Sequence, residues 1–119
     1  MFPVNTIKNP VAYFNELGGL HDARIIAVSW NKGEKTLRIS VDDLNSNFLN
    51  LPEYQGTRQV DILFTGVQRL DLNIQIFEAS FSIYDLEIKK NEKHYCVDIR
   101  CSPGGNFNFQ CKSVKVYDI

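Results

Sequence analysis

The sequence lacks a cationic excess. It carries 13 Lys and Arg against 14 Asp and Glu, a net charge of -1. The balance holds along the chain, with five basic and six acidic residues over 1–57 and eight of each over 58–119. Nucleic-acid binding through phosphate contacts needs a basic face, so no nucleic-acid partner is expected. Long apolar runs are missing too. None approaches the roughly 20 residues that a membrane-spanning helix needs, and residues 1–9 have no basic-then-apolar leader pattern. No membrane association is expected, and the cytoplasm is the expected location. Cysteine is scarce and odd in number: Cys96, Cys101 and Cys111. Without a Cys-x-x-Cys pair there is no basis for a paired-thiolate metal or redox site, and none for a disulfide framework. The three are expected as buried free thiols acting as small apolar groups in a reducing compartment. Histidine is limited to His21 and His94. No cofactor or metal is expected.

What the sequence has is a period of two. A chain of 119 residues suits one domain, 1–119. Eight Phe and five Tyr favour strands. The stretch 20–41 reads as a first hairpin. Ile26, Val28 and Trp30 alternate with Ala27, Ser29 and Asn31, and Leu37, Ile39 and Val41 alternate with Arg38 and Ser40. Gly33 stands in the turn, where a short hairpin loop calls for positive φ. Before the hairpin, residues 1–10 with Pro3 and Pro10 read as an extended arm. A helix of about two turns then follows, with Asn9 as N-cap, Pro10 as first residue and Gly18-Gly19 as stop.

The later strands alternate in the same way. Val60, Ile62 and Phe64 point inward, and Gly66 marks a bend. Leu70, Leu72, Ile74 and Ile76 alternate strictly with Arg69, Asp71, Asn73 and Gln75, which predicts one buried and one wet face. From Ser80 the phase slips, because Phe81 and Ile83 disagree with Tyr84, Leu86 and Ile88; a bulge near Ile83-Tyr84 is expected. Tyr95, Val97, Ile99 and Cys101 point inward after a polar turn. Phe107, Phe109 and Cys111 open a last strand that Val114 and Val116 finish in the opposite phase, implying a second bulge. The expected fold is all-β, or mainly β with one short N-terminal helix: an antiparallel bent sheet of about seven strands, as an open barrel or sandwich.

Catalytic constellations are weak. His21-Asp22 is one element of a metal-dependent phosphohydrolase, but the further ligands on helices are missing. Its plainer role is structural, bonding backbone as the chain leaves Gly18-Gly19. There is no Gly-x-Ser-x-Gly elbow, and the cysteines sit inside strand patterns. Gly104-Gly105 precedes a strand and not a helix, so it reads as a turn and not as a phosphate cradle. Trp30 is expected to pack in the core. His94, Asp98 and Arg100 share one strand face, which keeps open an alternative: a small-molecule-binding or catalytic β-barrel.

The string Leu20-His21-Asp22-Ala23-Arg24-Ile25-Ile26-Ala27-Val28, with the turn and return strand after Trp30, resembles the opening of small bacterial β-rich proteins, among them immunity family fifty of polymorphic toxin systems. The resemblance implies a cytosolic protein that binds and neutralises a toxin, with no catalytic residues to carry over. A non-enzymatic protein-binding module is therefore the preferred function. Its partner surface is expected in the loop 42–57, which offers Asp42, Asp43, Asn45, Glu53 and Tyr54: acids to steer a basic partner and an aromatic to anchor it. An open sheet edge would also allow oligomers.

Overall fold

Residues 5–74 and 81–119 are described in the computed structural model. The expected arm over residues 1–4, and the strand positions Gln75, Ile76 and Ser80, lie outside them. The helix α1, Pro10–Glu16, forms where the sequence marks it. The Asn9 side chain accepts the Ala12 N–H at 3.1 Å, and Pro10 occupies the first turn, where no N–H is needed. Seven residues are too few for a helix to persist alone; Phe14 anchors it by full burial. Gly18 and Gly19, both at positive φ, then turn the chain through a 3-10 turn, Gly18–Leu20.

Among the described residues the strands form two antiparallel sheets, not closed into a barrel. In the first, β1 (Asn5–Thr6), β9 (Ser113–Asp118), β4 (Val60–Thr65), β3 (Thr36–Val41) and β2 (Ile25–Asn31) lie in that order. In the second the order is β5 (Gln68–Asn73), β8 (Asn106–Cys111), β7 (His94–Ser102) and β6 (Ser82–Asn91). Among the described residues the sheets join at three corners. Gly66, at positive φ, turns β4 into β5, and Lys112 turns β8 into β9; the Lys112 N–H bonds Thr65 O at 2.8 Å between them. At the third corner Arg24 bridges Ser82, and the Ile83 N–H bonds Ala23 O at 2.7 Å.

The inward rows of β3, β4, β7, β8 and β9 meet in one core. Phe64 of one sheet and Phe109 of the other pack edge to face with centroids 4.9 Å apart. Both are fully buried, so either change to Ala would cost about 3–5 kcal/mol.

Several local expectations are corrected. The phase change after Cys111 is no bulge within one strand: β8 and β9 belong to different sheets, and the chain changes face because it changes layer. The positive φ of the first turn falls on Lys35 and not on Gly33, while Asn31 Oδ1 accepts the Glu34 N–H at 3.0 Å to close the turn. A bulge between Ile25 and Ala27 leaves Ile26 outside the register and exposed. Val28 and Trp30 do pair with core residues Ile39 and Leu37, but β2 is a sheet edge and Trp30 keeps 38% of its surface in solvent. Leu72, on edge strand β5, is likewise exposed. The bulge near Ile83-Tyr84 is present as a register shift between Ile83 and Asp85.

Candidate functional site

The loop 42–57 is organised from inside, around Asp43. Leu44, fully buried, seals its base, and the Leu44 N–H bonds Arg58 O at 2.8 Å. That places the neighbouring Asp43 carboxylate, only 8% exposed, in the middle of the loop. Its Oδ1 accepts the backbone N–H of Asn45 at 3.0 Å and of Arg58 at 3.1 Å, and its Oδ2 accepts the Tyr54 hydroxyl at 2.6 Å. Burial of a carboxylate is tolerated where donors surround it. The Tyr54 oxygen also meets Thr57 Oγ1 at 3.0 Å, and its hydrogen bond to Asp43 raises the Tyr54 pKa above the ordinary phenol value.

The other predicted residues complete this scaffold. The Asn45 side-chain amide donates to Gly56 O at 2.9 Å, closing the loop across its neck. Asp42 Oδ1 accepts the Arg24 N–H at 2.8 Å, tying the loop to the start of β2. Ser46 Oγ donates to His21 O at 2.8 Å. Asp43 thus turns into the loop, while Tyr54 is half-buried with its hydroxyl bonded to Asp43 and Thr57. Of the three acids Glu53 is exposed, Asp42 half-buried and Asp43 buried.

What the scaffold presents is apolar. A 3-10 turn at Ser46–Phe48 leads to Leu49 and Leu51, which are 56% and 50% exposed, followed by exposed Pro52 and Glu53. Leu49 and Leu51 each leave about half of their surface in solvent on this hydrogen-bonded loop. Sequence reasoning missed them because apolar residues in a connection are ordinarily buried beneath it. The available signal was Leu-Asn-Leu-Pro inside an otherwise polar connection.

His21 and Asp22 flank this loop. His21 Nδ1 lies 2.6 Å from Tyr84 O, the ring packs edge-on against Tyr84, and Asp22 Oδ1 stands 3.5 Å from Nε2. Asp22 is at φ 70 and its N–H bonds Ile83 O at 2.8 Å. The pair locks the corner between β2 and β6. Trp30 lies apart, at the far end of β2.

The residues of the catalytic alternative share the outer face of β7 but not one pocket. Asp98 lines a shallow groove of about 380 Å3 on the outer face of the second sheet, with Arg69, Glu87, Lys89 and Cys96. His94 lines a different groove of about 220 Å3. Arg100 is engaged with Asp85 at 2.8 Å. Desolvation pushes the Cys101 thiol up to about 11 and the Cys111 thiol up to about 12, so neither supplies a thiolate near neutral pH. Among the described residues no His, Cys, Asp and Glu side chains group as a metal site, and no helix is long and apolar enough to cross a membrane.

The family model for Immunity protein 50 matches residues 8–119. This chain belongs to the Immunity protein 50 family. The match spans both sheets, the Asp43 loop and the His21-Asp22 corner, well beyond the hairpin that carried the sequence resemblance. No curated protein matches. Among solved structures, an uncharacterized protein from Neisseria gonorrhoeae is similar at 13% identity with a TM-score of 0.54, covering 81% of this chain and 90% of that one. That likeness bears on the fold alone. The immunity family points to a protein partner and to a binding role.

Proposed function

We propose that this member of the Immunity protein 50 family binds a bacterial protein toxin in the cytoplasm and neutralises it by occupation, without catalysis. The observation that carries the reading is the family match over residues 8–119. The loop 42–57 supports it by its construction. A loop pre-ordered by internal hydrogen bonds loses little entropy when a partner docks. Leu49, Leu51 and Pro52 supply the apolar centre of the contact, and Glu53 supplies an acidic rim that favours a basic partner surface. In this reading Asp42, Asp43, Asn45 and Tyr54 shape the binding loop from within.

Co-expression with the product of a neighbouring toxin gene tests the reading. The expected result is a stoichiometric complex and loss of toxin activity. A toxin that remains free and active in the presence of excess folded chain contradicts it.

A further inference from the structure

At one end of the molecule the turns between strands bring together residues that lie far apart in the sequence. Gly66 and Lys112 form the corners where β4 passes to β5 and β8 to β9. Lys112 fills the space over Gly66: a Cβ added there would lie 2.7 Å from Lys112 Cγ. The corner glycine thereby sets the path of the lysine stem. Gln68 and Gln110 stand opposite one another on β5 and β8, and His94 opens the adjoining strand β7. With Lys93 and Lys112 these side chains line the recess of about 220 Å3. The turn 32–35 reaches the same end, because the Val67 N–H bonds Lys35 O at 2.9 Å. The chain is nearly neutral, but the fold does not spread its charge evenly. Lys32, Lys35, Arg69, Lys90, Lys93 and Lys112 lie at this end, with Glu34 and Glu92 as the carboxylates of the same turns.

The recess is rich in donors and short of acceptors. An ammonium group donates hydrogen bonds and accepts none. Among the described residues no carboxylate lines the recess, and the ion pairs involve neither Lys93 nor Lys112. His94 Nε2 is buried and has no hydrogen-bond partner on the protein, an exception for a buried polar atom. We propose that this recess binds a small oxyanion of the phosphate class, with Lys93 and Lys112 as its charged clamps and the Gln68 and Gln110 amides as neutral donors. Two cations without a carboxylate match a doubly charged anion. The volume lies below the roughly 300–1,000 Å3 of pockets that enclose drug-sized ligands, so the anionic group itself fills the recess. The surrounding cations raise the local concentration of anions without touching the bound one. Both clamping lysines are exposed, so binding is weak, with half-saturation on the order of 1 mM. The turn 32–35 precedes β3 and the Asp43 loop follows it, so the recess and the loop lie at opposite ends of that strand. The inference is independent of toxin binding.

Proton NMR of the histidine rings tests the proposal on the full chain, titrated with inorganic phosphate at fixed pH and ionic strength. The chain has two histidines. His94 lines the recess, while His21 sits against Tyr84 at the corner between β2 and β6, so one ring reports and the other is the control. A saturable shift of the His94 resonances is expected, with those of His21 unmoved. Lys93→Gln combined with Lys112→Gln changes two exposed positions, so the melting temperature should stay within the scatter of surface substitutions. The half-saturation concentration should rise at least ~10-fold. A parallel titration with ribose 5-phosphate separates the sources of the anion. Saturation at lower concentration than with phosphate assigns the recess to the phosphoryl group of a larger molecule, and saturation at higher concentration assigns it to the free ion. Three results overturn the proposal. One is a His94 ring that does not shift, or shifts without saturating. Another is an equal shift of His21. The third is a folded double variant that saturates at the same phosphate concentration as the parent.

Discussion

Replacing Asp43 with Ala should unfold the loop from its centre. The carboxylate accepts three donors: the backbone N–H of Asn45, that of Arg58, and the Tyr54 hydroxyl. Tyr54 keeps Thr57 as a neighbour, so its loss is partly made good. The two backbone donors have no other acceptor once the carboxylate is gone. A buried donor left unsatisfied costs about 1–3 kcal/mol, and the loop lies near enough to water that values in the lower half apply. The expected total is about 2–4 kcal/mol, a large share of the ~5–15 kcal/mol that holds a chain of this size folded. That corresponds to a fall in melting temperature of roughly 10 °C. Urea unfolding followed by circular dichroism measures it, with a shifted midpoint at unchanged slope as the sign of lost stability in the folded state. Asp43→Asn, which keeps shape and one acceptor, should lose about half as much. An alanine variant within ~0.5 kcal/mol of the parent, the scatter of ordinary surface changes, would refute the claim that Asp43 holds this loop.

Other outcomes follow from the same geometry. Leu49→Ser with Leu51→Ser should leave the urea midpoint within the scatter of surface substitutions while weakening toxin affinity at least ~10-fold by calorimetry, because both side chains already stand in water. Tyr54 has a raised folded pKa, so its contribution is intact below the ordinary phenol value near 10 and is lost as pH rises through the folded value; stability should fall more steeply above that pH in the parent than in Tyr54→Phe. Titration with a thiol reagent under native conditions should label Cys96 first, with Cys101 and Cys111 reacting only on unfolding, since both are buried with raised pKa values.

Strand alternation was readable wherever one face is buried along its whole length, as in β3, β4 and β7. It misled at edges. Leu72 sits in a strictly alternating row yet is exposed, because burial depends on whether the opposing layer extends over that position, which a single strand's pattern does not encode. The phase change between Cys111 and Val114 was visible, but a bulge and a crossing between sheets leave the same mark; only the pairing of β9 with β4 and of β8 with β7 separates them. In the loop, Asp43 was found and its inward direction was not. Asp43 turns inward because the Asn45 and Arg58 N–H groups converge on it, and that convergence joins residues 15 apart. Leu49 and Leu51 went unremarked for the opposite reason, since apolar residues in a connection are ordinarily buried beneath it.

In the proposed function the tip of the Asp43 loop meets the toxin. The most direct measurement is the affinity of the purified chain for the product of a neighbouring toxin gene, read together with toxin activity, for the parent and for the Leu49→Ser, Leu51→Ser variant. The expected result is a tight one-to-one complex that silences the toxin, and a folded variant that binds at least ~10-fold more weakly and protects in proportion. A folded parent chain that neither binds nor silences that toxin would contradict it, as would a variant that binds and protects as well as the parent.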